Sequence, residues 1–217
     1  MIVAVFLSGC SAYIAPKNTL HTTTSFYNEV SFNSFLLKNT SQVALWLGRK
    51  VDNKYLVEPI NVIILDEESR SDEESISLVE TALDDAGYNK RCGHSSGYIG
   101  VINKKPFKQV PREFSIAYSN NNFWKINNHG RLFGPYTVKA KERMYIGQFS
   151  RESFSLFSLV NHGYVSFSAA RDDFIKKVTQ CASLKYIDNI DALNKISSNI
   201  FTSKDHDGKI KVLLLKK

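Results

Sequence analysis

The feature that most constrains the fold is the block between residues 97 and 149, where short aromatic and β-branched runs alternate with Asn-rich breaks. Residues 97–103, 113–119, 123–127 and 143–149 each have the composition of a half-buried strand. Asn120-Asn121-Asn122 and Asn127-Asn128 read as turns between them, because Asn bonds its own backbone and tolerates turn conformations. Residues 59–65, 162–167 and 209–215 add further apolar runs of strand length.

Only two stretches carry a helical period. Ser71-Asp72-Glu73-Glu74 is a helix start, with Ser71 as cap and Glu74 placed to bond back to it. Ile76, Val79, Ala82, Leu83 and Ala86 then recur at helical spacing, and Gly87 is a natural stop. In residues 169–182, Phe174, Ile175, Val178, Cys181 and Ala182 form one stripe, with Arg171, Asp172, Lys176 and Lys177 off it. Strands in one block with two flanking helices predict an α+β fold: a single domain with a mixed or mostly antiparallel sheet and two principal helices.

The chain has 217 residues and a formal charge of +7, which raises the question of an anionic partner. The distribution of charge argues against nucleic acid. Residues 66–85 hold nine acids and one base, Arg70, and the remaining bases are scattered without a dense stripe. The acids fall near a helix N-terminus, where the dipole favours them. A cation site at Asp66, Glu67 and Glu68 is the less favoured reading of that cluster.

Leu7-Ser8-Gly9-Cys10 looks like the lipobox of bacterial lipoproteins: an aliphatic residue, two small residues, and the thiol that takes the lipid. On this reading residues 1–9 are the remnant of a signal peptide, and Cys10 becomes a lipidated first residue carrying diacylglyceryl and palmitate. Residues 10–40, rich in Ser, Thr and Asn, form the tether, interrupted by Phe26, Tyr27, Val30, Phe32 and Phe35. Residues 41–217 form the globular domain. Ser11, rather than Asp, after the cysteine favours the outer membrane. Removing Cys10 leaves Cys92 and Cys181, an even pair that suits either a disulfide or two buried thiols.

Of five histidines, His21 falls in the tether and His206 in a polar tail loop, where both are expected to be exposed and idle. His94, His129 and His162 each sit beside Gly or Ser, in turns that can bring them to one site, and are candidate ligands for a divalent metal. The competing reading is loop histidines with local hydrogen bonds. No other cofactor is indicated: there is no phosphate loop, no dinucleotide fingerprint and no nucleophile elbow.

The order of Pro59-Ile60-Asn61-Val62-Ile63, Leu83-Asp84-Asp85-Ala86-Gly87-Tyr88, Asn128-His129-Gly130-Arg131-Leu132-Phe133, His162 and Ala170-Arg171-Asp172-Asp173-Phe174 resembles the LssY C-terminal-like domain of bacterial envelope proteins. The likeness covers roughly residues 40–182. Where members of that family pair histidines, this chain has Asn128-His129 and His162-Gly163. Some members are fused to membrane-embedded phosphatase domains, so the resemblance implies envelope association. It also marks His129, Arg131, His162 and Arg171 as candidate catalytic residues.

Two functions follow as expectations. The first is a membrane-anchored lipoprotein facing the periplasm, whose domain binds an envelope protein partner without catalysis. The second is a metal- or phosphate-dependent hydrolase built on the His/Arg cluster, with Arg171 as an anion clamp.

Overall fold

The structure, a computed structural model, describes residues 13–14, 23–39, 42–154, 162–192, 196 and 199–216. The lipobox Leu7-Ser8-Gly9-Cys10 and His21 lie outside the described residues. The N-terminal part contributes β1 (Tyr13–Ile14), β2 (Thr24–Tyr27), β3 (Val30–Asn33), β4 (Leu37–Asn39), β5 (Gln42–Val51), β6 (Lys54–Val57) and β7 (Val62–Asp66). Helix α1 (Asp72–Asp85) follows, then β8 (Asn89–Cys92), β9 (Ile99–Ile102), β10 (Lys105–Val110) and β11 (Ile116–Ser119). Two long strands come next, β12 (Asn127–Lys139) and β13 (Glu142–Phe154), and then β14 (His162–Ser166) and helix α2 (Phe167–Gln180). The chain ends in β15 (Leu184–Asp191), β16 (Phe201–Thr202) and β17 (Lys209–Leu215). Among the described residues the architecture is mostly strand with two helices, and the sheet is mixed: β17 runs parallel to β7 and β16 parallel to β6, while the other ladders are antiparallel.

The β12–β13 hairpin is the centre of the main sheet. β12 takes β11 and β10 on its other edge, and β8 pairs with β11. The far edge of β13 is shared. Residues 143–147 pair with β7, and residues 151–154 pair with β14. Asn61 holds the point where they part: its amide donates to Phe149 O and its Oδ1 accepts from Phe149 N. The β7–β17–β15 run completes this sheet.

Both faces of the sheet are covered, which is why every residue of β7 is buried. Val62, Ile64, Leu132, Tyr145 and Phe149 face the two helices, packing with Val79, Leu83, Phe174 and Val178. Ile63, Leu65, Phe133, Met144 and Ile146 face the other way, onto Val30, Phe32, Tyr98 and Ile102 from the N-terminal strands and β9. The two-residue period of β12 and β13 therefore assigns alternate side chains to the two cores.

Several expectations change. Beyond β1, strands β2 and β3 cover residues 24–33, and Val30, Phe32 and Phe35 are buried, so that part of the polar N-terminal segment packs on the domain. Residues 123–126 form a turn rather than a strand, and Asn127-Asn128 open β12 instead of ending a hairpin. Asn120 explains this: its N–H donates to Asn128 O and its Oδ1 accepts from Asn128 N, closing the intervening residues into a loop. Cys181 caps α2 in an exposed position and donates its thiol to Asp85 O, so burial of its side chain does not occur. Cys92 is exposed as well, and both are free thiols. The Ser71 cap of α1 is present as expected, accepting from Glu74 N.

Candidate functional site

The inward row of the central hairpin, which would continue the apolar core, turns polar toward one end. On β12 it reads Phe133, Arg131, His129, Asn127; on β13 it reads Ile146, Gln148, Ser150, Glu152. The register sets Arg131 opposite Gln148, His129 opposite Ser150 and Asn127 opposite Glu152. All six polar side chains are buried. Across the gap stand Glu58, His94, Ser95 and Tyr98, also buried. Polar side chains at this depth must find partners or bind something, because desolvation without a hydrogen bond is costly.

His94 reaches this place through the turn after β8. Gly93 has φ +93°, and a Cβ there would lie 2.5 Å from the Phe123 ring, so only glycine fits. His94 N–H donates to Ser115 O and the Ser115 hydroxyl returns a bond to His94 O, which fixes the backbone of the turn. The His94 and His129 rings stack with centroids 4.4 Å apart. His129 Nε2 is 3.5 Å from Glu152 Oε1 and 3.3 Å from Ser150 Oγ. His129 Nδ1 lies 3.1 Å from Asn127 Oδ1. One donor atom from each of His94, His129 and Glu152 fits within a 4.8 Å span.

Beside this group runs a second network. Arg131 donates through Nε and Nη2 to Ser95 O, and its guanidinium lies 4.7 Å from the centre of the Tyr98 ring. Tyr98 donates to Glu58 Oε1 at 2.8 Å and shares a hydrogen bond with Ser95 Oγ. Burial pushes the Glu58 carboxyl up to about 7, with Arg131 and the Tyr98 hydroxyl opposing the rise. Glu58 Oε2 and both amide atoms of Gln148 have no hydrogen-bond partner among the described residues.

The structure thus brings His94, His129 and Arg131 together and adds Glu58, Tyr98, Gln148 and Glu152 to them. His162 opens β14 opposite Phe154; Tyr164 is the residue that pairs with Glu152. Arg171 belongs to a different cluster. It donates to Asp172 Oδ1, both carboxylate oxygens of Asp207 and Lys209 O, and these bonds occupy the groups an anion clamp would use. His206, expected to be exposed, is buried in that same cluster. Burial, with help from Arg171, pushes its pKa down to about 4, against Asp207 and Asp205. Asp66, weighed as a cation ligand, accepts from Glu68 N and Ser69 N and so builds the turn before α1.

The sequence signal for Glu152 and Gln148 was the alternation Gln148-Phe149-Ser150-Arg151-Glu152, polar at every second position of a strand whose faces are both buried. The Glu58 and Tyr98 contributions had no local signal, because their roles depend on how the second layer lies over the hairpin.

No family model, no curated protein and no solved structure matches this chain.

Proposed function

We propose that this chain is a lipid-tethered domain of the bacterial cell envelope, of LssY C-terminal-like type, which works by binding a partner rather than by turnover. The anchor in this reading is Cys10, at the end of Leu7-Ser8-Gly9-Cys10. The observation that carries the binding half is an exposed apolar rim around the Gly93-His94 turn. Phe114, next to the Ser115 that bonds His94, is 79% exposed. Phe123 covers Gly93, and Trp124 stands edge-on to it with half its surface in solvent. Ile126 is 65% exposed. Aromatic side chains held out on a rigid scaffold are the usual anchors of an interface. The adjoining groove of about 450 Å³ runs past Phe114 and is edged by Lys38, Lys108 and Arg112 against one acid, Glu113, an excess of positive charge that suits a partner with acidic groups.

The test is made in cells with the full-length protein. Cys10→Ala is expected to leave the membrane fraction and to lack the lipid mass carried by the wild type. A photo-crosslinker at Phe114 or Trp124 is expected to trap an envelope protein, and one at exposed Lys185 is not. Membrane association independent of Cys10 removes the anchor; equal crosslinking at all three positions removes the rim.

A further inference from the structure

We propose that His94, His129 and Glu152 form a binding site for one first-row divalent transition-metal ion of zinc type, which staples the His94 turn to the β12–β13 hairpin. The claim is independent of the partner-binding reading above. The donor set decides the class of ion. Two imidazoles and one carboxylate suit zinc and its neighbours, whereas calcium and magnesium take oxygen ligands.

The geometry supports it in three ways. Asn127 donates its amide to Lys125 O, which turns its Oδ1 toward His129 Nδ1. With that oxygen accepting, Nδ1 carries the proton and Nε2 presents its lone pair to Glu152. A ring orientation fixed through the far nitrogen is the arrangement of metal-ligating histidines. Next, two donors each about 2.1 Å from a tetrahedral ion lie about 3.4 Å apart, and Nε2 and Oε1 are separated by 3.5 Å. Finally, the site is closed and polar. His94 is 3% exposed, His129 2% and Glu152 7%, while the Gln148 amide on the same row, fully buried, finds no hydrogen-bond partner among the described residues. A closed site points to a structural ion, with Ser150 Oγ, 3.3 Å from Nε2, available as the fourth protein ligand.

The rival account is an ion pair between protonated His129 and Glu152 with no metal. The experiment separates the two. The full chain is stripped with chelator and titrated with Zn(II) and Co(II) at neutral pH. The proposal expects one ion per chain, ligand-field absorption of a tetrahedral cobalt site, and a rise in melting temperature with zinc. Glu152→Gln and His129→Asn are expected to lose all three while keeping the metal-free circular dichroism. Asn127→Ala, acting only through the His129 ring, is expected to weaken zinc about 10- to 100-fold. Cys92→Ser/Cys181→Ser is expected to bind as the wild type does. Should the histidine variant fail to fold, imidazole nitrogen spectra of the wild type decide, since zinc must shift His94 and His129 together. Absence of stoichiometric binding, binding that follows the thiols, or imidazole spectra unmoved by zinc would overturn the proposal.

Discussion

Among the described residues, a cluster around buried Arg171 and a cluster around buried His129 are built on opposite principles. Around Arg171, charge and hydrogen bonds close on themselves. Arg171 is bonded to Asp172, Asp207 and Lys209 O. Asp205 accepts from the Tyr164 and Ser166 hydroxyls and from Phe167 and Ser168 N, tying the loop before β17 to the N-terminus of α2. This cluster is a fastening. Around His129, donor atoms of His94, His129 and Glu152 share a small volume, and beside them Gln148 and one oxygen of Glu58 have no hydrogen-bond partner among the described residues. A buried amide such as Gln148 that finds no protein partner asks for an explanation beyond the fold, whereas buried groups bonded to one another are explained by the fold alone.

The largest expected effect breaks the fastening. Arg171→Met removes a buried guanidinium and its four hydrogen bonds, to Asp172, to half-exposed Asp207 and to Lys209 O, and costs about 3 kcal/mol, charge-assisted bonds being discounted for the exposure of the carboxylates. Urea denaturation is expected to show that loss, with zinc affinity unchanged.

The pH dependence of stability separates the clusters next. Glu58 rises from an ordinary 4.5 to about 7 in the folded protein. Its folded form therefore binds the proton more tightly, and stability falls as pH climbs from about 4.5 to about 7. His206 drops from 6.5 to about 4. Its unfolded form binds the proton more tightly, so stability falls as pH descends from about 6.5 to about 4. Each effect is worth about 3 kcal/mol, and between pH 4.5 and 6.5 they oppose. Glu58→Gln is expected to leave a metal-free protein whose stability rises with pH across that window. His206→Gln is expected to give the reverse slope. Equal slopes in both variants would refute the assignment.

Smaller effects sharpen the scale. Asp205→Ala removes acceptors at the start of α2, where burial raises the carboxyl and the Ser166 and Tyr164 hydroxyls outweigh it to hold its pKa low. It is expected to cost about 2 kcal/mol by thermal or urea unfolding. Ser71→Ala at the α1 cap, far from either cluster, is expected to cost about 1 kcal/mol.

Local chemistry made part of this legible in advance. The Ser71 capping motif, the period of α1 and α2 and the run in β17 each announce their element, because cap, stripe and stop lie within a few residues of one another. Residues 123–126 are a loop against their composition, since Phe123, Trp124 and Ile126 suit a strand but are held out of the sheet by the Asn120–Asn128 pairing. The site was half visible. His94 and His129 stand out as glycine-flanked histidines, and Arg131 follows His129 on the same strand face. Glu152 and Glu58 do not, because a single acid gains meaning only from the register that sets it opposite Asn127 or the layer that buries it. Arg171 invited a functional reading by its place in the sequence, yet its partners arrive from Asp207 and Lys209, 36 and 38 residues away.

The most direct test of this contrast is zinc-dependent thermal unfolding of the wild type, His129→Asn and Arg171→Met, measured side by side with and without chelator. The wild type is expected to melt higher with zinc. His129→Asn is expected to show no zinc shift, and Arg171→Met to melt lower throughout while keeping the full shift. A zinc shift that survives in His129→Asn and disappears in Arg171→Met would contradict the account by exchanging the roles of the two clusters.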